Sequence, residues 1–124
     1  NNPLLTLPSK GESGQHVWHL FVIRSAWRDA LQQHLTSSGI QTLIHYPIPP
    51  HKQPALSAFN HFQYPLTEQL HQDILSLPLN PSMTIDDAEK VITACNTFDP
   101  GSGKHRHLER KERSPNEKAG PQDD

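Results

Sequence analysis

Two histidines and a tyrosine lie close together in a proline-rich segment: His45, Tyr46 and His51. A neutral imidazole can hydrogen-bond, bind a metal or move a proton near neutral pH. A phenol can either cap an apolar core or offer its hydroxyl to a ligand. We expect the two histidines to form hydrogen bonds with a polar ligand, whereas for Tyr46 ligand contact and capping of the core both stay open.

A metal site is the first alternative for the same segment, because histidine is a common zinc ligand. The segment contains no Cys-x-x-Cys, no His-Glu-x-x-His motif and no acidic residue. The sequence therefore favours hydrogen bonding, and we assign no metal ligand. A metal-binding domain stays open as a third interpretation of the chain.

Lys52 and Lys90 raise the question of pyridoxal phosphate, which enzymes hold through a lysine. The rest of such a site is missing from the sequence, since no phosphate cradle at a helix N-terminus and no strand carrying an Asp toward the pyridine nitrogen is evident. We expect Lys52 to be exposed or to face a substrate, and Lys90 to be exposed on a helix. No catalytic residue is predicted.

The backbone that carries the three residues is restricted by four prolines between Pro47 and Pro54. Proline fixes φ and donates no hydrogen bond, so this stretch cannot be a regular helix or an inner strand. We predict an ordered, extended loop following a strand over Ile40–Tyr46, where apolar and polar residues alternate. An earlier apolar run, His16–Arg24, predicts another strand with His19 buried in it.

Three helices are predicted around these strands. The first runs from about residue 26 to 38, has Trp27, Leu31 and Leu35 on one face, and ends at Gly39. The second begins after Pro65 and is marked by Leu66, Leu70 and Ile74.

The third helix has Thr84 as N-cap and ends near Phe98. Its predicted core face consists of Ala88, Val91, Ile92, Cys95 and Phe98. Ser76–Leu79 reads as a short extended piece that Pro78 makes an edge or turn element. Together these elements predict an α/β fold, a small sandwich of one sheet covered by helices.

Composition limits the domain organisation and the classes of partner. The chain has 124 residues, 33 % of them hydrophobic, with a mean hydropathy of -0.69. Residues 99–124 carry almost no apolar side chains, so we predict a folded domain over residues 1–98 and a disordered polar tail over residues 99–124. A net charge of -2 gives no case for nucleic acid or an anionic membrane as partner.

The expected location is the cytoplasm. Cys95 is the single cysteine, which excludes an internal disulfide and fits a reducing compartment. No hydrophobic run of membrane-spanning length and no signal peptide is evident. The chain begins Asn-Asn-Pro without an initiator methionine, as a piece of a longer protein would.

The order of several segments resembles the C-terminal small domain of nucleotide-sugar aminotransferases of the DegT/DnrJ/StrS type. These enzymes depend on pyridoxal phosphate and have fold type I. The resemblance covers roughly residues 4–98 and rests on the succession His19–Arg24, Arg28–Leu31, Gly39–Ile40, His45–His51, Gln53–Ala55, Leu75–Leu79 and Val91–Ile92.

The resemblance implies transfer of an amino group from an amino acid, in this family usually L-glutamate, to a nucleoside-diphosphate keto sugar. The segment around His45 is similar to that of members acting on dTDP-3-keto-6-deoxyhexoses. The resemblance also implies a homodimer, and it implies that pyridoxal phosphate is held mainly by a large N-terminal domain that this chain lacks. That domain carries the cofactor's lysine, so the chain alone is expected to be inactive. His45, Tyr46 and His51 are then expected to contact the nucleotide sugar.

An alternative from another class is a noncatalytic sugar-binding or interaction module that kept this small-domain fold.

Overall fold

The computed structural model describes residues 1–101; the predicted tail lies outside the described residues from residue 102 onward. The elements follow the order β1 (Phe21–Arg24), α1 (Arg28–Ser37), two short 3-10 helices (Pro50–Lys52 and Pro54–Phe59), α2 (Pro65–Asp73), β2 (Ile74–Leu77) and α3 (Ile85–Thr97).

The sheet consists of β1 and β2, which pair antiparallel from Phe21 opposite Leu77 to Arg24 opposite Ile74. Two isolated bridges extend the sheet. Thr6 pairs with Arg24 on the outer side of β1, and Leu43 pairs with Ser76 on the outer side of β2. Apart from the bridge to Leu43, β2 is an edge strand, and it ends directly before Pro78, in agreement with the predicted edge or turn element.

The core lies between this sheet and helices α1 and α3. Ile23 and Leu75 are register partners on one face of the sheet, and neither exposes any surface. They belong to one buried cluster with residues of both helices: Ile23, Leu31, Leu35, Ile40, Leu75, Ala94, Cys95 and Phe98. The α/β prediction of one sheet covered by helices is confirmed.

The end of α1 shows why that helix could be predicted. Gly39 has φ +77°, a left-handed conformation that glycine adopts without steric cost. Its N–H donates to the Thr36 carbonyl, and the N–H of buried Ile40 donates to the Leu35 carbonyl at 2.9 Å. This pair of bonds is the Schellman motif, and it turns the chain from α1 toward the sheet.

The start of α3 is also as predicted. The Thr84 hydroxyl accepts from the Asp87 N–H at 3.1 Å, and the Asp87 carboxylate accepts from the Thr84 N–H, also at 3.1 Å. This capping box satisfies two backbone donors that a helix leaves unpaired.

The core face of α3 differs in part from the prediction. Val91, Ala94, Cys95 and Phe98 follow the i, i+3, i+4, i+7 spacing and pack in or against the core. Ile92 lies one residue off that stripe, so its side chain turns outward and is 57 % exposed. Cys95 is buried as predicted, and burial raises the pKa of its thiol.

The predicted strand over Ile40–Tyr46 is wrong, because a single rung forms there, between Leu43 and Ser76. These two residues exchange both backbone hydrogen bonds, at 2.8 and 3.2 Å. In one direction along β2, the next hydrogen-bonded pair of residues would need an N–H from Pro78, which has none. In the other direction, the next hydrogen-bonded pair would need the N–H of Ile74, which already donates to the Leu70 carbonyl of α2.

The predicted strand over His16–Arg24 is correct only for its last four residues. The register that pairs Phe21 with Leu77 would place Leu20 opposite Pro78, and the strand begins just after that point. His19 lies before the strand and is exposed, so its predicted burial is wrong.

Two further helix assignments need correction. Trp27 precedes α1 and is 45 % exposed, whereas Leu31 and Leu35 are fully buried. Ile74 belongs to β2 and not to α2, while Leu66 is 70 % exposed at the start of α2. Over residues 1–101 no helix is both long and apolar enough to cross a membrane.

Candidate functional site

His45 lies two residues beyond the Leu43–Ser76 rung, where the chain leaves the sheet. Its side chain is half-buried, and its Nδ1 is 2.9 Å from the Ser76 Oγ. Both residues line an open groove of about 1420 Å³ together with Leu43, Leu77 and Met83. His45 is therefore held by the sheet on one side and accessible from the groove on the other.

Tyr46 is 66 % exposed, and its ring meets that of His45 edge-on at 5.6 Å between centroids. The peptide bond between the two residues is cis. The Tyr46 carbonyl accepts a hydrogen bond from His71 Nδ1 on α2. His71 thereby anchors the backbone that presents the tyrosine.

His51 has different surroundings, because it is buried with only 7 % of its surface exposed. Its Nε2 donates to the Glu68 Oε1 at 2.8 Å, and its ring meets that of Tyr64 edge-on at 4.9 Å. The 3-10 helix Pro50–Lys52 begins at a proline, as short helices often do, and turns His51 inward. The predicted extended loop is thus a pair of 3-10 helices in this part.

Glu68 collects several donors on α2. Besides His51, its Oε1 accepts from the Tyr64 N–H at 3.2 Å and lies 3.8 Å from Lys52 Nζ. The hydrogen bond from His51 is the main reason that the pKa of Glu68 lies below its ordinary value, and the Tyr64 N–H adds to the effect.

Lys52 is not a free charge, although 35 % of its side chain is exposed. Its ammonium group donates to the carbonyls of Asn60 and Phe62, both at 2.9 Å, and so closes the loop between the second 3-10 helix and α2. Lys90 is 74 % exposed on α3 and lies 3.8 Å from an Asp87 oxygen.

The described residues do not fit a complete pyridoxal phosphate site. The ammonium group of Lys52 is bonded to two carbonyls, while Lys10 and Lys90 are exposed. Within residues 1–101 no three His, Cys, Asp or Glu side chains gather where they could hold a metal ion. The groups that this part of the chain offers are hydrogen-bonding and aromatic side chains.

The structure places His45 and Tyr46 side by side, while His51 lies in a separate, buried network. Sequence reasoning missed Ser76, Glu68 and His71. Each of them contacts a residue of the proline-rich segment from at least 17 positions away. A pattern of neighbouring residues in the sequence cannot predict a contact over such a separation.

An exposed aromatic surface follows the proline-rich segment. We use this name for Phe59, Phe62 and Tyr64, which are 41–49 % exposed and whose neighbouring ring centroids lie 6.1–6.2 Å apart. Residues 53–67 around it contain no Asp, Glu, Lys or Arg. Large contiguous apolar patches on monomeric proteins often mark a contact with a partner or ligand.

Comparison with known proteins gives one consistent result. The family model of the DegT/DnrJ/EryC1/StrS aminotransferase family matches residues 2–96. A dTDP-3-amino-3,6-dideoxy-alpha-D-galactopyranose transaminase of Aneurinibacillus thermoaerophilus is 46 % identical over 97 residues, which are 78 % of this chain and 27 % of the relative.

Solved structures agree in fold. The S. venezuelae DesV structure has a TM-score of 0.68 at 37 % identity, covering 76 % of this chain and 26 % of DesV. NtdA from Bacillus subtilis, solved with bound cofactor PMP, has a TM-score of 0.63 at 32 % identity, covering 75 % and 22 %. The chain spans about a quarter of the length of the curated relatives it matches.

Proposed function

Because the chain belongs to the DegT/DnrJ/EryC1/StrS aminotransferase family, we propose that it is part of an enzyme that aminates a nucleotide-linked keto sugar. The amino donor is an amino acid, L-glutamate, and the acceptor is a dTDP-3-keto-6-deoxyhexose. The A. thermoaerophilus relative, whose name specifies a dTDP-3-amino-3,6-dideoxyhexose, supports this choice of acceptor. The working form is a cytoplasmic homodimer.

His45, Tyr46 and His51 orient the nucleotide sugar in this proposal. The observation that carries it is the pairing of an exposed Tyr46 ring with a groove-lining His45 at the end of the sheet. Imidazole N–H and phenol O–H are suitable donors to the hydroxyl, carbonyl and phosphate oxygens of such a ligand. His51 acts from beneath, because its bond to Glu68 fixes the loop that follows Tyr46.

Pyridoxal phosphate is the cofactor, and the PMP bound in NtdA supports this assignment. When bound, the cofactor supplies the electron sink for transamination. It is held mainly by a larger domain outside this chain, since the described lysines are engaged elsewhere or exposed. The chain by itself is therefore inactive as a transaminase.

A chimeric enzyme tests the proposal. Residues 2–96 replace the matching quarter of the A. thermoaerophilus transaminase, and steady-state kinetics are measured with the nucleotide sugar. We expect activity, with His45→Ala and Tyr46→Phe each raising KM for the sugar about tenfold, the value of one hydrogen bond. The half-reaction with L-glutamate keeps its rate.

His61→Ala is the matched control, because His61 is an exposed histidine of the neighbouring loop. It leaves KM unchanged. If the two site variants slow only the glutamate half-reaction, the assignment of these residues to the sugar fails. A folded chimera that binds the sugar without aminating it supports the noncatalytic module instead.

A further inference from the structure

We infer that Ser76 is a positioning residue for His45: its hydroxyl donates to Nδ1 and keeps the imidazole proton on Nε2, the nitrogen available to a ligand. The inference rests on the proposed role of His45 toward the nucleotide sugar. It adds the residue that sets the ring's orientation and its hydrogen-bonding polarity.

Ser76 is suited to this task by its place in the sheet. It is the central residue of three paired chains, opposite Val22 on one side and bridged to Leu43 on the other. The bonds with Leu43 fix the backbone two residues before His45, and the side-chain contact at 2.9 Å fixes the ring. Ser76 thus fixes both the backbone at Leu43 and the imidazole ring of His45.

The direction of the hydrogen bond follows from the burial of Ser76, which is only 5 % exposed. Its hydroxyl has one proton, and among the described residues its hydrogen-bond partner is His45 Nδ1. If Nδ1 carried the proton, the serine O–H would be left without an acceptor, which is costly in a buried position. If the hydroxyl donates instead, its proton is satisfied and Nδ1 is the acceptor.

This arrangement gives His45 a defined role. With Nδ1 accepting from Ser76, a neutral ring carries its proton on Nε2. Nε2 has no hydrogen-bond partner within residues 1–101, and the ring lines the groove. His45 is therefore a hydrogen-bond donor to an oxygen of the ligand, which suits the oxygen-rich surface of a nucleotide sugar.

Nitrogen NMR on the 124-residue chain tests the inference without any ligand. Long-range proton–nitrogen spectra of labelled histidine, recorded at about pH 9, show which ring nitrogen bears the proton. We expect the proton on Nε2 and a hydrogen-bonded shift at Nδ1. Ser76→Ala should remove that shift and add the other tautomer, and Ser76→Thr should restore the wild-type spectrum.

Ser25→Ala is the matched control, because Ser25 is also a buried serine, and its hydroxyl accepts from the Trp27 N–H away from His45. It should leave the His45 signals unchanged. A wild-type spectrum with the proton on Nδ1 overturns the inference, and so does a Ser76→Ala spectrum identical to wild type. The wild-type result alone decides the case if Ser76→Ala does not fold. Because no ligand is used, failure here is separate from failure of the chimera.

Discussion

Glu68 joins three parts of the chain through one carboxylate. It accepts from His51 in the first 3-10 helix and from the Tyr64 N–H before α2, and it lies near Lys52, which holds the intervening loop. The network keeps the aromatic surface in place although few core contacts lie beneath it. Its charge state should therefore be visible in the stability of the domain.

Glu68→Gln should flatten the acid limb of the stability profile. The pKa of Glu68 in the folded chain lies below its ordinary value of 4.5, so its contribution is complete above about pH 4.5. The contribution is lost as the pH falls from there through the lowered folded pKa, because the unfolded state takes up the proton first. Urea unfolding between about pH 7 and pH 3 should show a smaller loss of stability for the variant than for the wild type.

Glu89→Gln serves as the control, since Glu89 is an exposed residue of α3. Its acid limb should parallel that of the wild type. Identical acid limbs for Glu68→Gln and the wild type would contradict an energetic role for the network.

The histidines show where inference from sequence stops at this scale. The residues next to His34 in the sequence do not indicate its hydrogen-bond partner. Its Nε2 is 2.9 Å from the Ala94 carbonyl of α3. His51 and His71 likewise engage groups far away in sequence. The segment containing the candidate site could be predicted, but which of its histidines faces outward is decided by tertiary contacts.

Among the elements, the end of α1 and the start of α3 were the most predictable because their signals are local. Thr84 and Asp87 cap α3 from within four residues, and Gly39 ends α1 through a backbone conformation of its own. Strand lengths were not predictable in the same way. Pro78 limits two neighbouring pairings, but its effect depends on a register that only the folded chain defines.

Thr84→Ala should destabilise the domain by about 1 kcal/mol, the usual cost of losing an N-cap side chain. The hydroxyl accepts from the Asp87 N–H, which would be left unpaired in the first turn of α3. Urea unfolding followed by far-ultraviolet circular dichroism measures the change.

Thr93→Ala is the matched control, because Thr93 is an exposed threonine inside the same helix. Alanine is the better helix former, so this variant should be at least as stable as the wild type. Equal stability of Thr84→Ala and wild type would show that α3 does not depend on its cap.

For the molecule as a whole, the aromatic surface is the feature that the core does not explain. Phe59 and Phe62 are exposed within an uncharged stretch, whereas the buried cluster lies between the sheet and α1 and α3. The match to only about a quarter of each relative gives this surface a context, because the remaining three quarters of those proteins have no counterpart here.

Replacing Phe59 and Phe62 together by serine should sharply reduce binding of a hydrophobic dye to the folded chain. The expected change in melting temperature is small, since neither ring belongs to the buried core cluster. Dye fluorescence and a thermal melt on the same samples give the two readouts.

Val17→Ser is the control, because Val17 is an isolated apolar residue that is 94 % exposed. It should leave dye binding unchanged. A large drop in melting temperature for the double variant would instead place the two rings in the structural core.

Asn2 brings the two ends of the folded region together. Its buried side-chain amide donates to the Cys95 carbonyl at 3.0 Å and to the Phe98 carbonyl at 2.8 Å. Polypeptide fused at either end would leave the domain from nearly the same point. The domain is therefore a good candidate for circular permutation, with a short linker joining the ends and new termini opened in an exposed loop such as residues 10–16.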